Sequence, residues 1–440
     1  MPGRISYLMT RLVSRWLPDP LIFAMLLTLQ VFGLALWLTP VTPVSLVGMW
    51  GDGFWNLLEF SMQMALIVVT GHALASSGPV RRLLRSTASL AKTPTQGVML
   101  VTFFGSVACI INWGFGLVVG AMFAREVARR VAGSHYPLLI ACAYIGFLTW
   151  GGGFSGSMPL LAATPGNPVE HIVGLIPVSQ TLFTGFNLFI TLALIVVMPL
   201  VTRMMMPAPH QVVTIDPELL REEAPTRKTL ATDATPAERL EESRLLALII
   251  GALGIAFLVI WFIGHGFNIT IDTVNLMFMI AGLLLHGTPM AYMRAAVVAA
   301  RSTAGILIQF PFYAGIQLMM EHSGLGGLIT EFFIRISSQD TFPLMTFFSS
   351  ALINFAVPSG GGHWVIQGPF VMQAAQELGA DMGKSVMAIA YGEQWMNMAQ
   401  PFWALPALAI AGLGVRDIMG FCMTALLFSA PLFIIGLLLF

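Results

Sequence analysis

Charge is scarce in this chain. Only 10% of its 440 residues are Asp, Glu, Lys or Arg, and 57% are apolar; a soluble domain carries about 25% charged residues. The 21 basic residues balance 21 acidic ones, so no basic footprint for nucleic acid is present. Cysteine is nearly absent. Cys109, Cys142 and Cys422 lie in apolar stretches without disulfide or metal-ligand spacing and read as buried thiols. Strong period-2 alternation is missing, which argues against a β-barrel. No phosphate-binding loop occurs, so nothing supports ATP drive or a cofactor. The segment Gly153-Phe-Ser-Gly-Ser157 lacks the strand-turn-helix setting of a nucleophile elbow, and no intramembrane catalytic set accompanies it. An enzyme is not expected.

What remains is a series of long apolar runs, each sufficient to cross a bilayer core as helix. They predict an all-α polytopic membrane protein with spans at about 21–39, 55–76, 136–160, 173–202, 244–263, 271–287, 302–320, 385–411 and 417–439. The first run follows Arg4, Arg11 and Arg15, as a signal peptide would. It is long enough to span, however, and no small-residue cleavage site follows it. Two further stretches, 97–124 and 342–372, are interrupted at Asn112 to Gly116 and at Pro358 to His363. Arms of about 12 residues, roughly 18 Å of helix, are too short to span. Basic residues also flank the first stretch on both sides, so each reads as a re-entrant hairpin.

Keeping Lys and Arg cytoplasmic places the N-terminus inside and the C-terminus outside. Only Arg335 and Lys384 fall outside, whereas Arg203, Arg294, Arg301 and Arg416 fall inside with the others. Within this topology the chain repeats itself. Ser77, Phe103, Asn112 and Tyr144 recur as Ser323, Phe347, Asn354 and Tyr391, at offsets between 242 and 247 residues. Span 21–39 runs outward and its counterpart 271–287 inward, so the fold is expected to comprise two inverted-topology repeats, each with a re-entrant hairpin and a broken helix, as in elevator-like ion transporters. Residues 1–203 form the first repeat and 265–440 the second. A cytoplasmic linker at 204–243, with Pro207, Pro209, Pro217, Pro225 and Pro236, and a connecting helix at 244–264 join them.

Irregular backbone at membrane depth needs partners from protein, water or ligand. Four such breaks occur: the two hairpin tips, and Thr149 to Ser157 and Gly392 to Pro401 in the spans that follow. Inverted repeats bring such breaks together as a substrate site. Apart from Arg244, the first residue of its span, no Lys or Arg lies within a span, so a carboxylate at the breaks would meet helix N-termini, free amides and neutral side chains. Asn112, Ser155, Ser157, Asn354, Ser359, Gln367, Asn397 and Gln400 are the candidate substrate ligands, and Trp113, Trp150, Trp364, Trp395 and Trp403 are candidate walls. Glu393, deep in a span, and His363 are candidates for a coupling ion. Glu393 can equally be a structural partner for His363 or a buried amide. Asn112 and Asn354 can offer oxygens to Na⁺, or cap half-helices.

The strings Trp16-Leu-Pro-Asp-Pro-Leu-Ile-Phe23, Trp50 to Asn56, Gly151 to Ser157, Thr164 to Pro168, Pro358 to Trp364 and Tyr391 to Trp395 resemble those of the AtoE-type short-chain fatty acid transporter family, along essentially the whole chain. The resemblance implies inner-membrane uptake of acids such as acetoacetate and butyrate. It transfers no residue-level assignment. Secondary transport of short monocarboxylates coupled to H⁺ or Na⁺ is the leading expectation, a passive facilitator the alternative, and a homodimer follows from fold analogy alone.

Overall fold

A computed structural model describes residues 2–16, 18–216, 234–266, 270–300 and 303–440. Leu17 of the first family string, Pro217 and Pro225 of the linker, and Arg301 lie outside the described residues. Those described form helices and turns, with no strand.

The first half contains α1 (Pro2–Trp16), α2 (Pro20–Leu38), α3 (Pro43–Gly53), α4 (Leu58–Ser76), α5 (Gly78–Ala88), α6 (Pro94–Ile111), α7 (Trp113–Arg130) and α8 (Tyr136–Ile145). A 3₁₀ turn (Gly146–Thr149), α9 (Ser157–Ala162), α10 (Glu170–Val173) and α11 (Gly185–Met204) complete it. After the linker come α12 (Pro236–Glu241), α13 (Arg244–His265), α14 (Ile271–His286), α15 (Pro289–Ala300), α16 (Ala304–His322) and α17 (Leu325–Arg335). Then follow α18 (Phe342–Ala356), α19 (Gly360–Leu378), α20 (Met382–Met396), a second 3₁₀ turn (Phe402–Ala404), α21 (Leu405–Ala411) and α22 (Val415–Leu439). Among the described residues five helices, α2, α6, α11, α13 and α22, are long and apolar enough to cross a bilayer. The chain is a multi-pass membrane protein.

Several helices start from one local device. Asp19-Pro20, Thr42-Pro43, Thr93-Pro94 and Thr235-Pro236 place a side-chain oxygen on an early amide, with proline at a first-turn position that needs no donor. The order helix, short helix, hairpin, helix, 3₁₀ turn, helix appears as α4 to α9 and returns as α16 to α21.

Both interrupted stretches are antiparallel hairpins. In the first, the Phe104 and Phe123 rings lie 4.4 Å apart, and Gly97 faces Val127 while Gly116 faces Cys109. In the second, Ser350 and Ser349 on α18 meet His363 and Gln367 on α19. The arms exceed the expected 12 residues. α6 and α7 have 18 each, and α18 and α19 have 15 and 19. The helices continue past their apolar runs into polar ends such as Arg125–Arg130. Length alone therefore does not make them re-entrant.

Other boundaries also differ. The expected span 173–202 begins only at Gly185, because Gly174 takes φ 74° and Pro177 precedes a 3₁₀ turn. The loops at 40–54 and 77–92 contain α3 and α5. α3 packs on α16, with Trp50 against Gly315 and Gly53 against Leu318.

Glycine sets the approach of each broken helix to its hairpin. A Cβ at Gly146 would strike the Gly105–Ser106 backbone, and one at Gly392 the Phe347 carbonyl and Ser350. The same close contact is thus made in both halves.

Candidate functional site

The hairpin tips and the two broken helices meet around a cavity of about 410 Å³. At the first tip Asn112 is extended (φ −158°), and its Oδ1 accepts the Phe115 N–H at 3.0 Å, capping α7. Ser155, from the first break, accepts the Trp113 N–H at 2.9 Å. At the second tip Ser359 is extended (φ −144°), and its Oγ accepts from Gly362 N at 3.4 Å, capping α19. Among the described residues no acceptor meets the amides of Gly360 and Gly361, which line the cavity. Two long helices therefore point their positive ends at one space.

Asn112, Ser155, Ser157, Ser359, Thr164 and Thr270 give the lining its polar part. Its apolar part comprises Leu57, Leu160, Leu161 and an aromatic wall. In that wall the Trp113 and Trp403 rings are 4.9 Å apart, Phe147 and Trp150 5.4 Å, and Phe147 and Trp403 5.7 Å. None of the lining residues is charged. Such a space suits a small amphiphile whose polar end accepts hydrogen bonds.

Half of the candidate substrate ligands lie elsewhere. Asn112, Ser155, Ser157 and Ser359 line the cavity, whereas Asn354, Gln367, Asn397 and Gln400 do not. The latter four sit in a fully buried polar layer. Asn354 Nδ2 donates to the Glu393 carbonyl at 3.0 Å and to Asn397 Oδ1 at 2.8 Å. Gln367 Nε2 donates to Ser349 Oγ at 2.7 Å, and Gln400 Oε1 accepts from Phe402 N at 2.8 Å.

The pairing of Asn112 with Asn354 needs correcting. Asn354 lies inside α18, two residues before its end, so it is not at a hairpin break. The residue that starts α19 as Asn112 starts α7 is Ser359, which lies 247 residues later, the offset that also relates Tyr144 to Tyr391. For Asn112 the capping role is the one seen. Among the described residues Asn354 Oδ1 has no partner.

His363 is held by neutral groups. Ser350 spends its hydroxyl hydrogen on the Ile389 carbonyl at 2.6 Å, so towards His363 Nε2, 3.1 Å away, it can only accept. Gln367 Oε1, at 2.7 Å, is also an acceptor. Nε2 therefore carries the hydrogen, and Nδ1 is bare, buried and without a partner. Glu393 is fully buried, and among the described residues neither carboxyl oxygen has a partner. The partners of His363 are Ser350 and Gln367, so Glu393 is not the hydrogen-bond partner of that imidazole. Of the five expected wall tryptophans, Trp113, Trp150 and Trp403 line the cavity. Trp395 donates instead to the Leu426 carbonyl at 2.8 Å, and Trp364 packs in a separate cluster with Met158 and Val371.

Sequence reading missed the groups that close the breaks. Gln394 Oε1 accepts the Gly151 N–H at 2.7 Å, and its Nε2 donates to the Leu148 carbonyl at 2.8 Å. Tyr144 O–H donates in the other direction, to the Asn397 carbonyl at 2.9 Å. Asn187 on α11 donates to the Gly152 carbonyl at 3.1 Å and accepts from Tyr391 O–H at 2.7 Å. Tyr144 and Tyr391 stood out in the sequence only as repeat positions and Gln394 only within the string Tyr391 to Trp395, while Asn187 carried no signal.

The profile of the family described as short chain fatty acid transporter matches residues 1–440. A protein of Escherichia coli (strain K12), proposed by its name to be a short-chain fatty acid transporter, is 82% identical over 440 residues, all of both chains. A Haemophilus influenzae (strain ATCC 51907 / DSM 11121 / KW20 / Rd) protein with the same name is 69% identical over 444 residues, 99% of each. Among solved structures, the Alcanivorax borkumensis YdaH transporter is 20% identical, with 95% of this chain and 98% of that one covered and a TM-score of 0.43.

Proposed function

We propose that this chain, which belongs to the short-chain fatty acid transporter family, is a secondary transporter that takes up short monocarboxylates such as acetoacetate and butyrate through the cavity at its hairpin tips. One observation carries the reading: an uncharged, part-aromatic space onto which two unmet amides of a 19-residue helix open. Those amides and the hydroxyls of Ser155, Ser157 and Ser359 are donors for one carboxylate, and the aromatic wall takes a short hydrocarbon tail. A second negative charge would have no counter-cation and would be costly to desolvate.

In this proposal 1–203 and 265–440 are inverted repeats in the inner membrane, with the N-terminus cytoplasmic and the C-terminus periplasmic. The hairpins and broken helices move together as one body, which the bonds of Gln394 and Tyr144 between halves favour. Leu57, before α4, and Thr270, before α14, line the same cavity from outside that body. Sliding the body past them would change the access of the cavity. Glu393 is the coupling group in this scheme, since an unpartnered buried carboxylate is stable only with a proton or cation on it. Asn354 Oδ1 is a further ligand for Na⁺.

Radiolabelled butyrate uptake into proteoliposomes, with pH and Na⁺ gradients imposed separately, tests the proposal. Saturable accumulation driven by one gradient is expected. Equilibration that neither gradient moves would indicate a facilitator, and absence of uptake for every short acid would refute the substrate class.

A further inference from the structure

A second cavity, of about 490 Å³, opens on the outer surface between α6 and α11. It is bounded by Leu90, Met99, Leu100 and Phe103 on one side and by Ile195, Val196 and Pro199 on the other. Phe103 and Val196 are 49% and 63% exposed, so the walls face the surrounding bilayer. From Gln96 to Phe103 is seven residues of α6, about 10 Å of depth along the helix.

Polarity is confined to one end of this groove. Gln96 lines it there, and its Oε1 accepts the Lys92 N–H at 2.8 Å, which places Lys92 beside the opening. On α11, Arg203 follows Pro199 by one turn and falls on the helix face that carries Ile195, Val196 and Pro199. Lys92 and Arg203 are both exposed, and neither side chain makes a hydrogen bond or ion pair among the described residues. Two unmatched cations therefore stand at the mouth of an apolar trough. In the proposed topology this is the cytoplasmic side.

We propose that this groove holds one anionic glycerophospholipid, with its phosphate against Lys92 and Arg203 and an acyl chain between α6 and α11. Charge followed by hydrocarbon along one direction is the order of a phospholipid, and basic residues at a membrane face attract anionic headgroups. A helix from a second copy would have to present an acid to the same two cations. Because α6 is the first hairpin arm, the lipid would touch an element that the transport proposal treats as moving. The inference itself rests only on the chain lying in a bilayer, so it can fail or stand without the substrate assignment.

The test uses the full chain in detergent, incubated with palmitoyl-oleoyl phosphatidylglycerol or the matching phosphatidylcholine and examined by native mass spectrometry. One phosphatidylglycerol per chain should survive activation severalfold better than phosphatidylcholine. The Lys92→Gln/Arg203→Gln pair should abolish that preference. Val196→Trp, which fills the trough but leaves both cations, should lower retention of phosphatidylglycerol as well. Equal retention of the two lipids, or unchanged preference in both variants, would overturn the proposal. So would disulfide-linked dimers of Val196→Cys in native membranes, which would make a second copy the occupant.

Discussion

Replacing Gln394 with leucine should loosen the first broken helix while leaving the cavity lining untouched. Gln394 is 1% exposed and makes two bonds to backbone of the other half, at 2.7 Å to Gly151 N and 2.8 Å to the Leu148 carbonyl. Leucine fills a similar volume but strands one amide and one carbonyl in the interior. Each stranded group costs about 1–3 kcal/mol, so the loss should total about 2–6 kcal/mol. Tyr144→Phe strands only the Asn397 carbonyl and should cost about half as much. The measurement is the thermal midpoint of detergent-solubilised protein for the wild type, each variant and the double variant, with butyrate uptake at matched protein levels. Gln394→Leu should show the lower midpoint of the two single variants and markedly slower uptake. A wild-type midpoint together with wild-type uptake in Gln394→Leu would refute the idea that this side chain closes the break.

Three other outcomes are expected. Glu393→Gln removes a charge but no hydrogen bond of the carboxyl group; uptake should lose its response to an imposed ion gradient while exchange of labelled for unlabelled butyrate continues, as uptake and counterflow assays would show. Gly360→Ala puts a Cβ 2.7 Å from Ser157 Cβ and 3.3 Å from Trp150, whereas at Gly361 the nearest atom is 4.0 Å away. Overpacking costs about 1–3 kcal/mol, so KM for butyrate should rise about 5- to 150-fold in the first variant and little in the second; similar values in both would discard the tip geometry. Phe147→Ala opens the aromatic wall and should shift preference towards longer acids, by about 1–3 kcal/mol per added methylene accommodated, read as the ratio of hexanoate to butyrate uptake.

Much of this architecture was legible where the chain departs from regular helix. Asn112, Ser155, Ser157 and Ser359 could be found because glycine, serine and proline strings mark backbone that a bilayer does not tolerate without partners. Pairing by residue identity failed at Asn354. The second tip carries three residues between its helices, Val357 to Ser359, where the first carries only Asn112, so the capping function moved to a different side chain. Gln394, Asn187 and Tyr144 stayed hidden because their roles arise only when distant segments meet. Leu57 and Thr270 carry no local signal at all, since any residue before those helices could have faced the cavity.

An uncharged lining also has a kinetic meaning. Arg and Lys hold a carboxylate through charge-assisted bonds roughly twice as strong as neutral ones, and most differences in affinity appear in the rate of departure. In the proposed site a carboxylate held by the amides of Gly360 and Gly361 and by serine hydroxyls would leave from weak tethers, which favours short residence and brisk turnover at plentiful substrate over the scavenging of traces.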